Sequence, residues 1–200
     1  MKFTLATKQH MTQFFDENGN VHPATLLKAE PLTVTALKTV EKDGYDAIQV
    51  GQGAQKKSRL SKALLGHLKG EAYSTLKEFR TAPGDLAIGA TLACDIFSKG
   101  DVVSVSSISK GKGFQGVMKR HGFSGGWGQH GQKHSAREAG SIGATGPQRV
   151  LKGKRMAGRM GSDRVTQKNI TVLDVDATNG LILIKGAVAG KRGTLVEIKA

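Results

Sequence analysis

One cysteine, four prolines and ten aromatic residues are all that this 200-residue chain holds of three residue kinds that often brace a small protein. The single Cys94 can close no intramolecular disulfide, so packing must hold the core, and a reducing compartment is its natural home. Acidic residues are also scarce, 16 against 30 Lys and Arg, which leaves a net charge of +14. Such an excess says little about fold, but it favours polyanionic partners, nucleic acid before an anionic membrane surface. Long apolar runs are missing. The longest aliphatic stretch, Leu181 to Ile184, is far short of the roughly 20 residues a membrane helix needs. Met1 to Met11 lacks the apolar run of a secretory signal, so a soluble cytoplasmic protein is expected.

Hydrophobic residues make up 38% of the chain, enough for one modest core. Glycine is abundant at 27 residues, with no three-residue period, which excludes collagen. Charge and glycine concentrate in the same place. Between Lys110 and Lys168 stand thirteen Lys and Arg, opposed only by Glu138 and Asp163, for a net +11, and fourteen glycines lie between Gly111 and Gly161. That window has no sustained hydrophobic period and cannot bury a core of its own. A long, self-repelling loop that orders on a polyanion is expected there.

The flanks have a different pattern. Met11–Phe15, Val21–Leu27, Leu32–Val40, Ala47–Val50, Leu92–Phe97, Val102–Ile108, Ile170–Val175, Leu181–Val188 and Thr194–Ile198 are short β-prone runs. Asn18-Gly19, Asp43-Gly44 and Asn179-Gly180 supply turn chemistry between them. An antiparallel barrel or sandwich is predicted. Leu60, Leu64, Leu65 and Leu68 recur at helical spacing with Ser61 as a possible cap, so residues 55–82 are expected to form a small, partly helical insertion. The expected layout is a globular β domain over 1–110 and 165–200, with 111–164 as an extended loop.

Candidate chemistry is thin. Gly111-Lys112-Gly113-Phe114-Gln115-Gly116 fits the dinucleotide fingerprint and follows a strand, but Gly122, Gly125 and Gly126 leave no room for the long helix that motif requires. Backbone that must lie close to phosphates is the better reading. His130 and His134 are four apart, yet Gly128 and Gly131 oppose a helix and no Cys or carboxylate completes a metal set with His121. Cys94 has nothing beside it to activate a thiolate, and no carboxylate pair suggests acid–base work. No catalytic residue, metal or cofactor is therefore expected, and no small-molecule substrate. Trp127, flanked by glycines, is either a buried anchor or, with Phe114 and Phe123, a probe for irregular RNA. The candidate RNA-binding set is Lys56, Lys57, Arg59 and Lys62 in the insertion. In the extension it comprises Lys110, Lys112, Phe114, Lys119, Arg120, His121, Trp127, His130, Lys133, His134, Arg137, Arg149, Lys152, Lys154, Arg155, Arg159 and Arg164. Phosphate neutralisation alone would equally suit a DNA-binding protein; glycine and aromatic loops suit folded RNA better than a regular groove.

Ser109 to Phe123, Gly140-Ser141-Ile142-Gly143, Lys152 to Gly161, Met11-Thr12-Gln13, Phe15 to Gly19 and Lys185 to Val188 resemble, in order, the bacterial form of ribosomal protein L three, a universal large-subunit family. The resemblance spans nearly the whole chain. It implies a translation-protein-type β-barrel and direct contact with large-subunit rRNA. It also implies neighbouring ribosomal proteins as partners, a role early in assembly and an extension reaching towards the peptidyl-transferase centre. The chain departs from the family at Ala6 to His10, where a Gly-Lys-Lys-type turn is usual. Ala144-Thr145-Gly146-Pro147 follows Gly143, so the modified glutamine of some bacterial members is not carried over to Gln148.

Overall fold

A computed structural model describes residues 2–84 and 86–200. The chain divides into two compact units, Met1–Ile108 with Arg164–Ala200, and Ser109–Asp163. In chain order the strands of the first unit are β1 (Phe3–Phe15), β2 (Val21–Lys28), β3 (Leu32–Lys38), β4 (Ala47–Ala54), β5 (Tyr73–Phe79), β6 (Thr91–Leu92) and β7 (Val102–Ile108). After β8 (Gly113–Gln115) and β9 (Gly158–Met160) of the second unit, β10 (Arg164–Asp176), β11 (Leu181–Lys185) and β12 (Leu195–Lys199) complete the first. The short helices are α1 (Val40–Asp43), α2 (Lys62–His67) and α3 (Val117–His121).

Six strands close a barrel in the order β1-β12-β7-β10-β11-β2, each neighbour antiparallel. Closure leaves the barrel no unpaired edge along its hydrogen-bonded length. Two tight loops help set the register. In one, the Asp16 carboxylate accepts from the Asn18 and Asn20 amides at 2.9 and 2.8 Å. In the other, Asp176 accepts from the Thr178 and Asn179 amides at 3.0 and 3.1 Å. Gly180 (φ +65°) closes this second loop against the chain, and a Cβ there would sit 2.6 Å from the Ala29 carbonyl oxygen. Such a site requires glycine.

Leu27, Val103, Val105, Val172, Ile182, Ile184, Val196 and Ile198 fill the barrel, all essentially inaccessible. Each aliphatic side chain buried this way contributes about 1.5–3 kcal/mol. A second sheet, β5-β4-β3-β6, packs its Leu32, Val34, Ile48, Val50 and Phe79 onto Phe3 and Leu5 of β1. Phe3 stacks on Phe79 with centroids 4.2 Å apart. The start of β1 is therefore buried on both faces, Ala6 within the barrel and Phe3 and Leu5 under the second sheet. This explains why Phe3-Thr4-Leu5-Ala6 shows no polar alternation and why only Met11–Phe15 stands out in sequence as β1.

Several local expectations are corrected. The insertion at 55–82 is partly helical as expected, through the 3-10 turn Lys57–Arg59 and α2, but its helix does not run on to the end. Tyr73–Phe79 is instead strand β5, paired with β4. Its Tyr73 ring covers the backbone at Gly51, where a Cβ would fall 2.5 Å from the ring. Leu92–Phe97 is not a strand. Pairing stops at Leu92 and Cys94–Ile96 turns as a 3-10 helix, because Cys94 and Phe97 both point into the barrel core. Asp43-Gly44 is not a tight turn: Gly44, at φ 78°, ends α1 within the longer loop that joins the antiparallel strands β3 and β4.

Glu197 ties the two sheets together. Its carboxylate is 10% exposed and meets Lys77 of β5 at 2.8 Å. It is also gripped by both guanidinium nitrogens of Arg164 on β10. Burial alone would push the Glu197 carboxyl up; Lys77 and then Arg164 outweigh it and hold it below its ordinary range.

Candidate nucleic-acid interface

The second unit is a long excursion cinched at its base. Ser109 N donates to Asp163 O at 2.9 Å and Lys112 N to Met160 O at 2.9 Å. β8 and β9 then pair antiparallel, Phe114 opposite Arg159. Gly161 (φ +78°) makes this closure possible, since a Cβ there would run into the Lys110 carbonyl. The expected structureless loop is therefore ordered at its base: the glycines that deny it a hydrophobic core let its two backbones approach directly.

Beyond the ladder, Val117 is the buried residue of α3 and Gly122, at φ 73°, ends that helix after His121. Five residues of helix are too few to present the phosphate-binding terminus of a dinucleotide fold. Two of the basic residues in the last turn of α3, Arg120 and His121, turn back onto the chain. Arg120 Nη1 donates to the Met156 carbonyl at 2.7 Å, and His121 Nε2 lies 3.0 Å from the same oxygen. A carbonyl can only accept, so the His121 nitrogen facing it carries the proton. Gly158 leaves room for this guanidinium, for a Cβ there would lie 2.6 Å from Arg120 Nη1. A second closure follows, where Gly126 N donates to Ala136 O at 3.0 Å.

With the backbone gathered by these few bonds, the side chains point outwards. Lys110, Lys112, Lys119, Lys133, Arg137, Arg149, Lys152, Lys154, Arg155 and Arg159 are exposed, as are His130 and His134. Arg120 and His121 are half-buried. Phe114 and Trp127 are 77% and 78% exposed, so of the two readings of Trp127 the buried anchor is the one discarded. Strand pairing brings Phe114 and Arg159 side by side on one face, an aromatic plane next to a cation. Lys56, Lys57, Arg59 and Lys62 are exposed on the first unit, around α2, whose Ser61 cap accepts from Leu64 N at 3.3 Å. Arg164 stands apart from the set. It is the first residue of β10, in the first unit, and its guanidinium is engaged by Glu197.

Among the described residues no group of three or more His, Cys, Asp or Glu is placed to hold a metal ion, and no helix is long and apolar enough to cross a membrane. Cys94 is buried in the barrel, and that burial pushes its thiol up from the ordinary value, the opposite of what a nucleophile needs. Two contacts had no signal in the sequence: Glu197 as the partner of Arg164, and the Met156 carbonyl as the acceptor for Arg120 and His121. Only the glycines spaced among the cations hinted at close backbone approach.

A closed β-barrel with a glycine-rich unit crowded by outward cations is a build suited to contact with a polyanion. The family model for ribosomal protein L3 matches residues 8–180. Relatives named large ribosomal subunit protein uL3 align along nearly the whole chain. That of Trichormus variabilis is 49% identical over 97% of this chain and 94% of its own length. That of Nostoc punctiforme is 48% identical with the same coverage, and that of Cutibacterium acnes 44% over 100% and 92%. The chain belongs to the ribosomal protein L3 family, whose members are structural proteins, not enzymes.

Proposed function

We propose that this chain is a structural constituent of the large ribosomal subunit, a cytoplasmic ribonucleoprotein component that binds large-subunit rRNA directly. On this reading it joins the subunit early in assembly and extends Ser109–Asp163 into the RNA towards the peptidyl-transferase centre. The observation that carries the reading is the charge of that unit: eleven Lys and Arg against Glu138 and Asp163, nearly all of the cations exposed. RNA phosphates would relieve their mutual repulsion and release counterions. Phe114 beside Arg159, and Trp127 between glycines, add stacking surfaces for unpaired bases. The barrel supplies a rigid anchor, and neighbouring ribosomal proteins complete the surroundings. Influence on peptide-bond formation would be indirect, through the position of the RNA.

Sedimentation of a native lysate at high salt tests this reading. Salt-resistant co-migration with the large subunit is expected; migration at the top of the gradient would overturn it.

A further inference from the structure

One part of the barrel unit has the wrong surface for RNA. β12 lies beside β1 only over Phe3–Thr7, and β11 pairs with β2 only over Ala24–Lys28. Among the described residues, the end of β1 and the start of β2 therefore run past both neighbours as a two-stranded arm. Phe15 pairs with Val21, Phe14 with His22 and Gln13 with Pro23. The turn at the tip is pre-formed by the Asp16 carboxylate, which also takes the Asn20 side-chain amide at 3.1 Å and lies 3.3 Å from His22 Nε2.

The two faces of the arm differ. Phe14 and His22, half-buried, line a cavity shared with Thr171, Val172 and Leu173 of β10. The opposite face exposes Met11 at 49%, Phe15 at 62% and Val21 at 50%, with Pro23 and Gln13 between them. Three large exposed apolar side chains on one face of a strand pair mark an interaction surface. Charge selects the occupant. Residues 9–27 contain no Lys or Arg, in a chain that has 30, and they include Asp16 and Glu17. The Glu17 side chain is 92% exposed and 3.7 Å from Lys99, an ion pair open to exchange in water. The Asp16 carboxylate is used within the turn, and Glu17 lies on the rim of the cavity at the tip. The strip itself therefore offers a phosphate backbone no cation, and the exposed Glu17 beside it complements a cationic protein.

Resting on the ribosomal reading above, we propose that the outer face of the β1–β2 arm docks a neighbouring basic protein of the same particle. The docked segment carries apolar side chains over Met11, Phe15 and Val21 and a Lys or Arg against Glu17. Because the tip is already held by its own hydrogen bonds, little ordering cost falls on the arm.

Replacing Phe15 in the full-length chain with photoreactive p-benzoyl-phenylalanine, irradiating cells and purifying large subunits tests this. If the chain does not sediment with the subunit, both the ribosomal reading and this one fall. If it does, crosslinks to one protein segment with Lys or Arg beside apolar residues are expected. Crosslinks to rRNA, to a second copy of this chain, or none at all would overturn the docking proposal alone. A Phe15→Ser, Val21→Ser double variant should still sediment with the subunit while occupancy of the crosslinked partner falls several-fold after a salt wash. Unchanged occupancy would equally overturn the proposal.

Discussion

Neutralising Lys152, Lys154 and Arg155 together, each to Gln, should change how rRNA binding responds to salt more than it changes the protein itself. All three are exposed on the returning limb of the Ser109–Asp163 unit, outside the β8–β9 ladder, so the fold should be untouched. Taking the value for a B-form duplex, each phosphate contact steepens the dependence of log K on log salt by roughly 0.9. Between about 50 and 200 mM salt, one contact then accounts for roughly a 3.5-fold loss of affinity, and three for roughly 40-fold. If six to ten of the cations reach phosphates, the wild-type chain should lose about 10³–10⁵-fold over that range, and the triple variant roughly 40-fold less. Filter binding of the full-length protein to folded large-subunit rRNA at four salt concentrations reads the slope. A slope unchanged in the variant would mean these side chains face solvent in the complex, and the electrostatic account of the unit would be wrong.

Other outcomes follow from the barrel and the base of the extension. Glu197→Gln should destabilise by about 1–3 kcal/mol near neutral pH, as loss of charged hydrogen bonds does. The larger loss seen when a buried pair is broken is not expected, because Lys77 and Arg164 keep 36% and 46% of their side chains exposed and can rehydrate. The folded-state pKa of Glu197 is lowered, so its contribution is complete above the ordinary carboxylate range and disappears as pH falls through the lowered value. Thermal melts of wild type and variant should therefore converge on acidification; a gap that widens in acid would refute the assignment. Gly161→Ala should loosen the base of the extension, because its Cβ meets the Lys110 carbonyl at a positive φ. Limited proteolysis should then cut near residues 109–113 and 160–163 faster, with the barrel unchanged. Cys94 should react with iodoacetamide at neutral pH only on unfolding, since it is 6% exposed with a raised pKa; rapid labelling of the native protein would contradict its placement.

What was legible in the sequence was whatever one segment expresses by itself. Net charge, its concentration between Lys110 and Lys168, and the turn chemistry at Asn18-Gly19 and Asn179-Gly180 are local properties, and they announced a mainly β protein with a basic excursion. The resemblance carried by Ser109–Phe123 and Lys152–Gly161 pointed to the family that the comparisons show. Elements whose conformation depends on a partner distant in sequence were not legible. Phe3–Ala6 hides because both its faces are buried, one in the barrel and one under Phe79. Tyr73–Phe79 becomes a strand because β4 offers an edge, and Cys94–Ile96 turns because the barrel interior takes both Cys94 and Phe97. In the same way, charge counting set Arg164 beside the other cations, and only the pairing of β10 and β12 on either side of β7 brought Glu197 to it. The sequence by itself determined composition, polarity and local turns. Tertiary structure alone decided which faces are covered and which cations are already paired, because burial and ion pairing belong to residues brought together by folding and not to either residue alone.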